Sequence, residues 1–282
     1  MSVRIVIDSA SDITQAEAKA LNVDVLPLKT IFGNEEYLDG VTMNHTTFYN
    51  KLIESDIMPT TSQLSPFDFE EAFRSALQHA DEVLCITVSS RLSGCYQSAN
   101  IAAAEFDGKV TVVDSMNVTI GERILAQLAV MLRNEGKHAA EIAEILNREK
   151  SRIRVMALVD TLEYLKKGGR VSSATALAGT LLGIKPVIAV ENGEISILGK
   201  ARGSKNGSNM LRQLAEGSGI CFDLPFALAY SGLDDTLLRK YIADSAALYE
   251  RKAAQLPVYT IGSTIGTHAG PGAIAVAFFA NI

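Results

Sequence analysis

Short apolar runs alternate with amphipathic stretches along nearly the whole chain, the pattern of an α/β protein. Val3–Ile7 is apolar at all but one position, as a strand covered on both faces should be. Asp12 with Gln15 then reads as a capping pair that opens a helix through Leu21. Val23–Ile31 predicts a second strand. Ser65-Pro66 predicts a helix start, with a Ser cap and Pro in the first turn, and the helix runs to His79. Val83–Val88 is another buried strand, followed by Ser89-Ser-Arg-Leu-Ser-Gly94 and a helix over Tyr96–Phe106.

Lys109–Val113 predicts a strand ending at Asp114, and helices follow over Thr119–Asn134 and Ala139–Glu149. Near Arg152 the pattern changes. Val155–Val159 reads as a strand, Thr161–Lys167 as a short helix closed by Gly168-Gly169, and Ser172–Leu182 as a helix of small residues. Lys185–Val190, Glu191-Asn-Gly-Glu194 and Ile195–Lys200 form the sharpest hairpin signal, because Asn-Gly supplies the two positive-φ residues of a type I′ turn. A helix over Ser204–Ala215, a strand over Phe226–Ser231, a helix over Thr236–Ala254 and strands over Val258–Ile261 and Ala273–Phe279 complete the chain. The expectation is a mostly parallel N-terminal sheet sandwiched by helices in residues 1–150, and a C-terminal mixed α/β lobe in residues 151–282.

Composition narrows the function. Of 282 residues, 48% are hydrophobic and 21% charged, with a net charge of −6. That balance argues against nucleic acid or an anionic membrane surface as the main partner. Aromatics make up 6% and Trp is absent, which disfavours a base-stacking platform. The three cysteines, Cys85, Cys95 and Cys221, form no CxxC pair and give no support for zinc or disulfide chemistry. The start lacks a signal-peptide core and the longest apolar run, Ala273–Ala280, is too short to span a bilayer, so the expected location is cytoplasmic. GxSxG, HExxH, GxGxxG and P-loop patterns are missing, so any reaction with ATP needs a partner that brings the nucleotide.

Four segments carry candidate chemistry. Ser89-Ser-Arg-Leu-Ser-Gly94 links a buried strand to a helix, where α/β sheets bind ligands and helix N–H groups face anions. Simple helix capping explains the serines equally well. Pro59-Thr-Thr-Ser-Gln-Leu-Ser-Pro66 is rich in hydroxyls, with Thr61 and Ser62 free to face a cleft or solvent. Gly262-Ser-Thr-Ile-Gly-Thr-His-Ala-Gly-Pro-Gly272 sets His268 among four glycines, which suggests close backbone approach to something. His45, His79 and His138 read as surface residues. Lys166-Lys-Gly-Gly-Arg170 and Lys200-Ala-Arg-Gly203 suit either a helix C-terminus or a bidentate phosphate contact. Asp39-Gly40 reads as a turn.

Taken together these segments resemble the DegV family, whose better-studied members include the fatty-acid-binding (FakB-type) subunits of bacterial fatty acid kinase. The resemblance rests on Asp8-Ser-Ala-Ser-Asp12, Thr61-Ser-Gln63, Ser89 to Gly94, Lys167-Gly-Gly-Arg170 and Ile265 to Gly272, in that order. Cys95 stands where Thr is usual, Leu64 where Pro is common and Ala269 where Thr is frequent. The resemblance implies two lobes enclosing one long-chain fatty acid such as palmitate or oleate, with no other cofactor. It implies that Thr61, Ser62, Ser93, Gly94 and His268 hold the carboxylate. Arg170 and Arg202 would then stand at the pocket mouth, toward a separate ATP-binding kinase subunit that makes the acyl phosphate. On that reading the chain is a carrier subunit without turnover of its own. The competing expectations are a hydrolase with Ser93 as nucleophile and His268 as base, and an enzyme that captures a small carbonyl on His268.

Overall fold

The computed structural model describes residues 2–171, 183–249 and 256–281. The helix expected over 172–182 and the end of the helix expected to reach Ala254 lie outside the described residues.

The chain opens with β1 (Val3–Asp8), α1 (Gln15–Leu21) and β2 (Val23–Leu26). Thr14, not Asp12, caps α1: its hydroxyl accepts the Glu17 N–H while the Glu17 carboxylate accepts the Thr14 N–H. The expected strand Val23–Ile31 is broken at Pro27, which has no N–H for the ladder, and the chain changes sheet there. It continues as β3 (Lys29–Phe32), β4 (Glu35–Leu38), α2 (His45–Glu54), β5 (Thr60–Ser62), α3 (Pro66–Ala76) and β6 (Glu82–Thr87). Next come α4 (Cys95–Ala103), β7 (Val110–Asp114), α5 (Ile120–Asn134) and α6 (Ala139–Glu149). The remainder is β8 (Ile153–Leu158), α7 (Glu163–Lys167), β9 (Ile184–Glu191), β10 (Glu194–Arg202), α8 (Gly203–Ser218), β11 (Phe226–Tyr230), α9 (Thr236–Asp244), α10 (Ala246–Tyr249), β12 (Val258–Thr260), α11 (Ser263–Ala269) and β13 (Ile274–Phe279).

Three sheets result. The first is parallel, in the order β2-β1-β6-β7. The second is mixed, β10-β9-β8-β13-β11-β12, and begins only after residue 152. The third, β4-β3-β5, is a small antiparallel sheet that the hydroxyl-rich sequence of β5 did not announce. The hairpin turn is as expected, with Asn192 at φ 51° and Gly193 at φ 81°.

One helix is shared between the two large sheets. Ile124, Leu125 and Leu128 of α5 join a core that includes Ile5 and Leu84 of the first sheet and Ala229, Ala275 and Ala277 of the second. This explains why α5 is buried nearly all round rather than along one stripe. Phe69, Phe73 and Ala99 of α3 and α4 cover the outer face of the first sheet. Leu211 and Ala215 of α8 cover the outer face of the second. Among the described residues no helix is long and apolar enough to cross a membrane.

Candidate functional site

Between the carboxyl ends of the parallel strands and the inner face of the mixed sheet lies a cavity of about 650 Å³. Its floor follows from strand alternation. Val155 and Ala157 of β8, and Val159 just beyond it, all line the cavity, and Ala275 and Ile188 lie in register with Ala157 on the two neighbouring strands. Ala157 sits on an interior strand yet is only half-buried, because its side chain opens on the cavity. Leu28, Val88, Val118, Ile261 and Ile265 add further apolar wall.

The polar end of the cavity gathers Thr61, Ser62, Ser93, Gly94 and His268, all five of the proposed head-group residues, together with Arg170. Thr61 sits on β5 and His268 in the last turn of α11, a seven-residue helix within the glycine-rich segment expected to be a loop. The two meet: Thr61 Oγ1 is 2.9 Å from His268 Nε2. The other ring nitrogen, Nδ1, is buried without a partner among the described residues. A proton there would be an orphan donor, and Arg170 adds a like charge nearby. Burial first, and Arg170 second, pull the imidazole from its ordinary 6.5 down to about 4. The ring is therefore neutral at physiological pH. The neutral tautomer that avoids a buried unpaired donor at Nδ1 has its hydrogen on Nε2, directed at Thr61, and in that tautomer the Thr61 O–H is left to donate elsewhere.

Ser93 and Gly94 lie just before α4. Gly94 is the helix N-cap and offers no side chain; its N–H has no partner among the described residues. Ser93 Oγ accepts the Cys95 N–H at 3.4 Å and donates to Cys95 Sγ at 3.2 Å. Ser93 and His268 are thus engaged with different partners. Among the described residues the nucleophile–base pair that a hydrolase requires is not formed, and no carboxylate orients Nδ1.

The two arginines separate. Arg170 Nη1 donates to Gly168 O at 2.7 Å and Nε donates to Leu92 O at 3.2 Å, so it ties the Lys167–Arg170 turn to the serine loop. Arg202, at the end of β10, is exposed and is not part of the cavity lining. His45 also departs from expectation: it is half-buried, packs edge-on against Tyr49 and Tyr230, and its Nδ1 lies 3.0 Å from Ile261 O.

Gln63 was not among the expected site residues. Its side chain lies across Gly94, where a Cβ would collide with the Gln63 amide, and its Nε2 donates to Ser98 Oγ at 3.4 Å. Its place beside Thr61 and Ser62 was a signal, but nothing in the sequence aligned it with Gly94. Ser89, fully buried, donates to Gly193 O at 2.7 Å and seats the hairpin tip on the serine loop. Among the described residues no cluster of His, Cys, Asp and Glu could hold a metal ion.

A sequence model described as "Uncharacterised protein, DegV family" matches residues 2–281. The chain belongs to the DegV family. A DegV domain-containing protein of Deinococcus radiodurans is 36% identical over 282 residues, covering 98% of each chain. A solved DegV family protein from Thermus thermophilus, described by its fatty acid binding, superimposes with a TM-score of 0.86 at 35% identity and full coverage of both chains. DegV of Bacillus subtilis, described as a fatty acid binding protein, gives 0.84 at 27% identity, again over the full length of both chains. These neighbours share the combination of parallel and mixed sheets described above.

Proposed function

We propose that this DegV protein binds one long-chain fatty acid and presents its carboxylate to a separate ATP-dependent kinase subunit, which phosphorylates it to the acyl phosphate. The observation that carries the reading is the union of an apolar cavity of about 650 Å³ with a polar end where the uncharged groups of Thr61, Ser62, Ser93, Gly94 and His268 gather beside Arg170. If each heavy atom of the acid takes about the ~30 Å³ of a liquid water, an acid of about 16–18 carbons needs roughly 500–600 Å³. One such chain fills the space and two do not. Burying about 14 methylenes at ~0.8 kcal/mol each contributes roughly 11 kcal/mol. Association costs of ~4–15 kcal/mol consume much of this, so a cavity already open in the free protein favours binding.

The carboxylate would otherwise lose its hydration for nothing. Thr61 O–H, with its oxygen held by the neutral His268, the Gly94 N–H and the hydroxyls of Ser62 and Ser93 are the donors that replace water. Ser93 gives up only a weak contact to sulfur when it turns to the ligand. Arg170, at the same end, spends Nε and Nη1 on Leu92 O and Gly168 O, so the direct donors to the carboxylate are uncharged, which leaves it reactive toward a phosphoryl donor. Arg170 at the cavity wall, and Arg202 on the exposed end of β10, are assigned to the kinase subunit and the transferring phosphate.

The fatty acid binding described for similar proteins of Thermus thermophilus and Bacillus subtilis supports the same ligand class here. Native mass spectrometry of protein purified from bacteria tests the ligand, with an adduct of fatty-acid mass expected. A protein that carries none and rejects both oleate and palmitate overturns the reading. Acyl phosphate formation after addition of a fatty acid kinase ATP-binding subunit tests the presentation step. Arg202→Ala is expected to lower that rate while oleate affinity stays as in wild type.

A further inference from the structure

Helix α11 carries His268 and is held by its surroundings, with Ser263, Thr264 and Thr267 buried and Gly266 against Phe48 and Tyr49. Seven residues are too few for a helix to persist without tertiary support, and its N-cap, Gly262, has no side chain to receive the first N–H groups. Those groups are received instead from a distant part of the chain. Asp39 Oδ1 accepts the Ser263 N–H at 2.9 Å and the Ser263 hydroxyl at 2.7 Å. Asp12 Oδ1 accepts the Gly262 N–H at 2.7 Å. Each carboxylate is fastened at its second oxygen as well: Ser9 Oγ donates to Asp39 Oδ2 at 2.9 Å, and Thr119 Oγ1 donates to Asp12 Oδ2 at 2.6 Å. Both acids are buried, Asp39 at 4% exposure and Asp12 at 7%. Gly262 is what lets them in, because a Cβ there would stand 3.0 Å from Asp39 Oδ1 and 3.2 Å from Asp12 Oδ1.

Ser263 is tied a second time to the same sheet. Thr30 Oγ1 donates to Ser263 Oγ at 3.0 Å, and Thr30 on β3 is the register partner of Thr61 on β5. Asp39 follows directly on β4 of that sheet, and its N–H is held by Leu28 O at 2.9 Å. The start of α11 and the strand bearing Thr61 therefore share one frame. His268 lies five residues beyond Ser263, about one and a half turns, so a tilt at the start of the helix is carried straight to the imidazole.

We infer that Asp39, assisted by Asp12, is the positioning residue that holds His268 against Thr61. The role is conformational: Asp39 is not in the cavity wall, and it acts on any ligand only through His268. Its importance for lipid rests on the reading of Thr61 and His268 as head-group residues, but the positioning itself is a property of the free protein.

The test is the titration of His268 followed by nuclear magnetic resonance of ¹⁵N-histidine-labelled protein, in parallel with oleate affinity. Wild type should titrate near 4. Asp39→Ala should release α11, move the His268 titration up toward the ordinary value and weaken oleate binding at least tenfold. Asp39→Asn keeps an oxygen for Ser263 and should recover most of both properties, which a requirement for charge alone would not allow. A folded Asp39→Ala protein whose His268 titrates as in wild type overturns the inference. If Asp39→Ala does not fold, Ser263→Ala takes its place: it deletes the hydroxyl bonds to Asp39 and Thr30 and keeps the backbone one. An upward movement of the His268 titration in that variant supports the inference, and no movement overturns it. Should the wild-type protein bind neither oleate nor palmitate, the lipid reading fails, while the titrations of the unliganded variants still decide the positioning.

Discussion

Gly168 is the surface on which the His268 ring rests: a Cβ at position 168 would overlap Nδ1 and Cε1 of the imidazole. Its backbone does not require glycine, since φ is −74° and ψ −8°, values any residue adopts. The ring alone excludes a side chain. This close backbone helps bury the ring, and burial, with Arg170 second, keeps the imidazole neutral.

Gly168→Ala should therefore push the ring off the site without straining the turn. Displacing the ring frees the Thr61 hydroxyl that is to donate to the carboxylate, and misplacing a hydrogen bond to a charged group costs about 1.5–3 kcal/mol, so oleate affinity is expected to fall by about 10–100-fold. Thermal unfolding should change little. Gly169→Ala is the contrast: φ there is 73° and nothing crowds the Cβ, so the change should lower stability more than it lowers affinity. Calorimetric titration and unfolding scans on the two proteins separate these outcomes.

Thr61→Val keeps the shape of the side chain and removes its hydroxyl. The His268 Nε2–H then faces a methyl group, and the ligand loses the O–H donor. A drop of tenfold or more in oleate affinity is expected, with Thr61→Ser close to wild type. Equal affinities for the valine and serine proteins would place the carboxylate elsewhere.

The depressed His268 titration makes a prediction about pH. Unfolded, the ring takes its proton near 6.5; folded, only near 4. Between these values the unfolded state binds more protons, so stability falls as the pH drops from about 6.5 to about 4. A shift of that size corresponds to about 3 kcal/mol. Burial acts in the opposite sense on Asp8 and Asp12, each raised to about 7, and these favour the fold as pH falls from about 7 toward 3.8. The informative quantity is thus the difference between wild type and His268→Asn in urea unfolding at several pH values. Wild type should lose ground to the variant on acidification across that window. A constant difference would mean that His268 titrates normally in the fold.

Ala157→Leu should shorten the list of acids that fit. Three added carbons occupy roughly 90 Å³ at the ~30 Å³ per atom used above. Palmitate and oleate affinity should fall, while an acid about three to four carbons shorter should be affected least. The folded state has space for the leucine, since Ala157 opens on the cavity, so unfolding should shift little. Unchanged oleate binding would show that the chain does not cross β8.

Much of the fold was legible in the sequence because its signals are local. The apolar run of β1, the Ser65-Pro66 start of α3 and the Asn192-Gly193 turn each depend on residues adjacent in the chain. The candidate residues Ser93 and Gly94 could be picked out locally, as a hydroxyl and a glycine between a strand and a helix, whereas Thr61 and Ser62 lie on β5 and His268 on α11. Pro27 was also readable in principle, as a residue that ends a strand and permits the change of sheet.

What only the tertiary structure decided involves partners far apart in sequence. Nothing local tells Thr61 that His268 lies 2.9 Å away, or tells Asp39 that it will hold the start of a helix 224 positions later. Asp12, an apparent cap for its own neighbours, instead secures Gly262 and Thr119, because burial between the sheets leaves its carboxylate no water and those are the donors at hand. The amino-acid order determined which elements form and which chemistry they carry. The packing of the parallel sheet against the mixed sheet determined where a cavity remains and which of those groups meet at its end, since close-packed side chains settle distances that spacing along a chain does not.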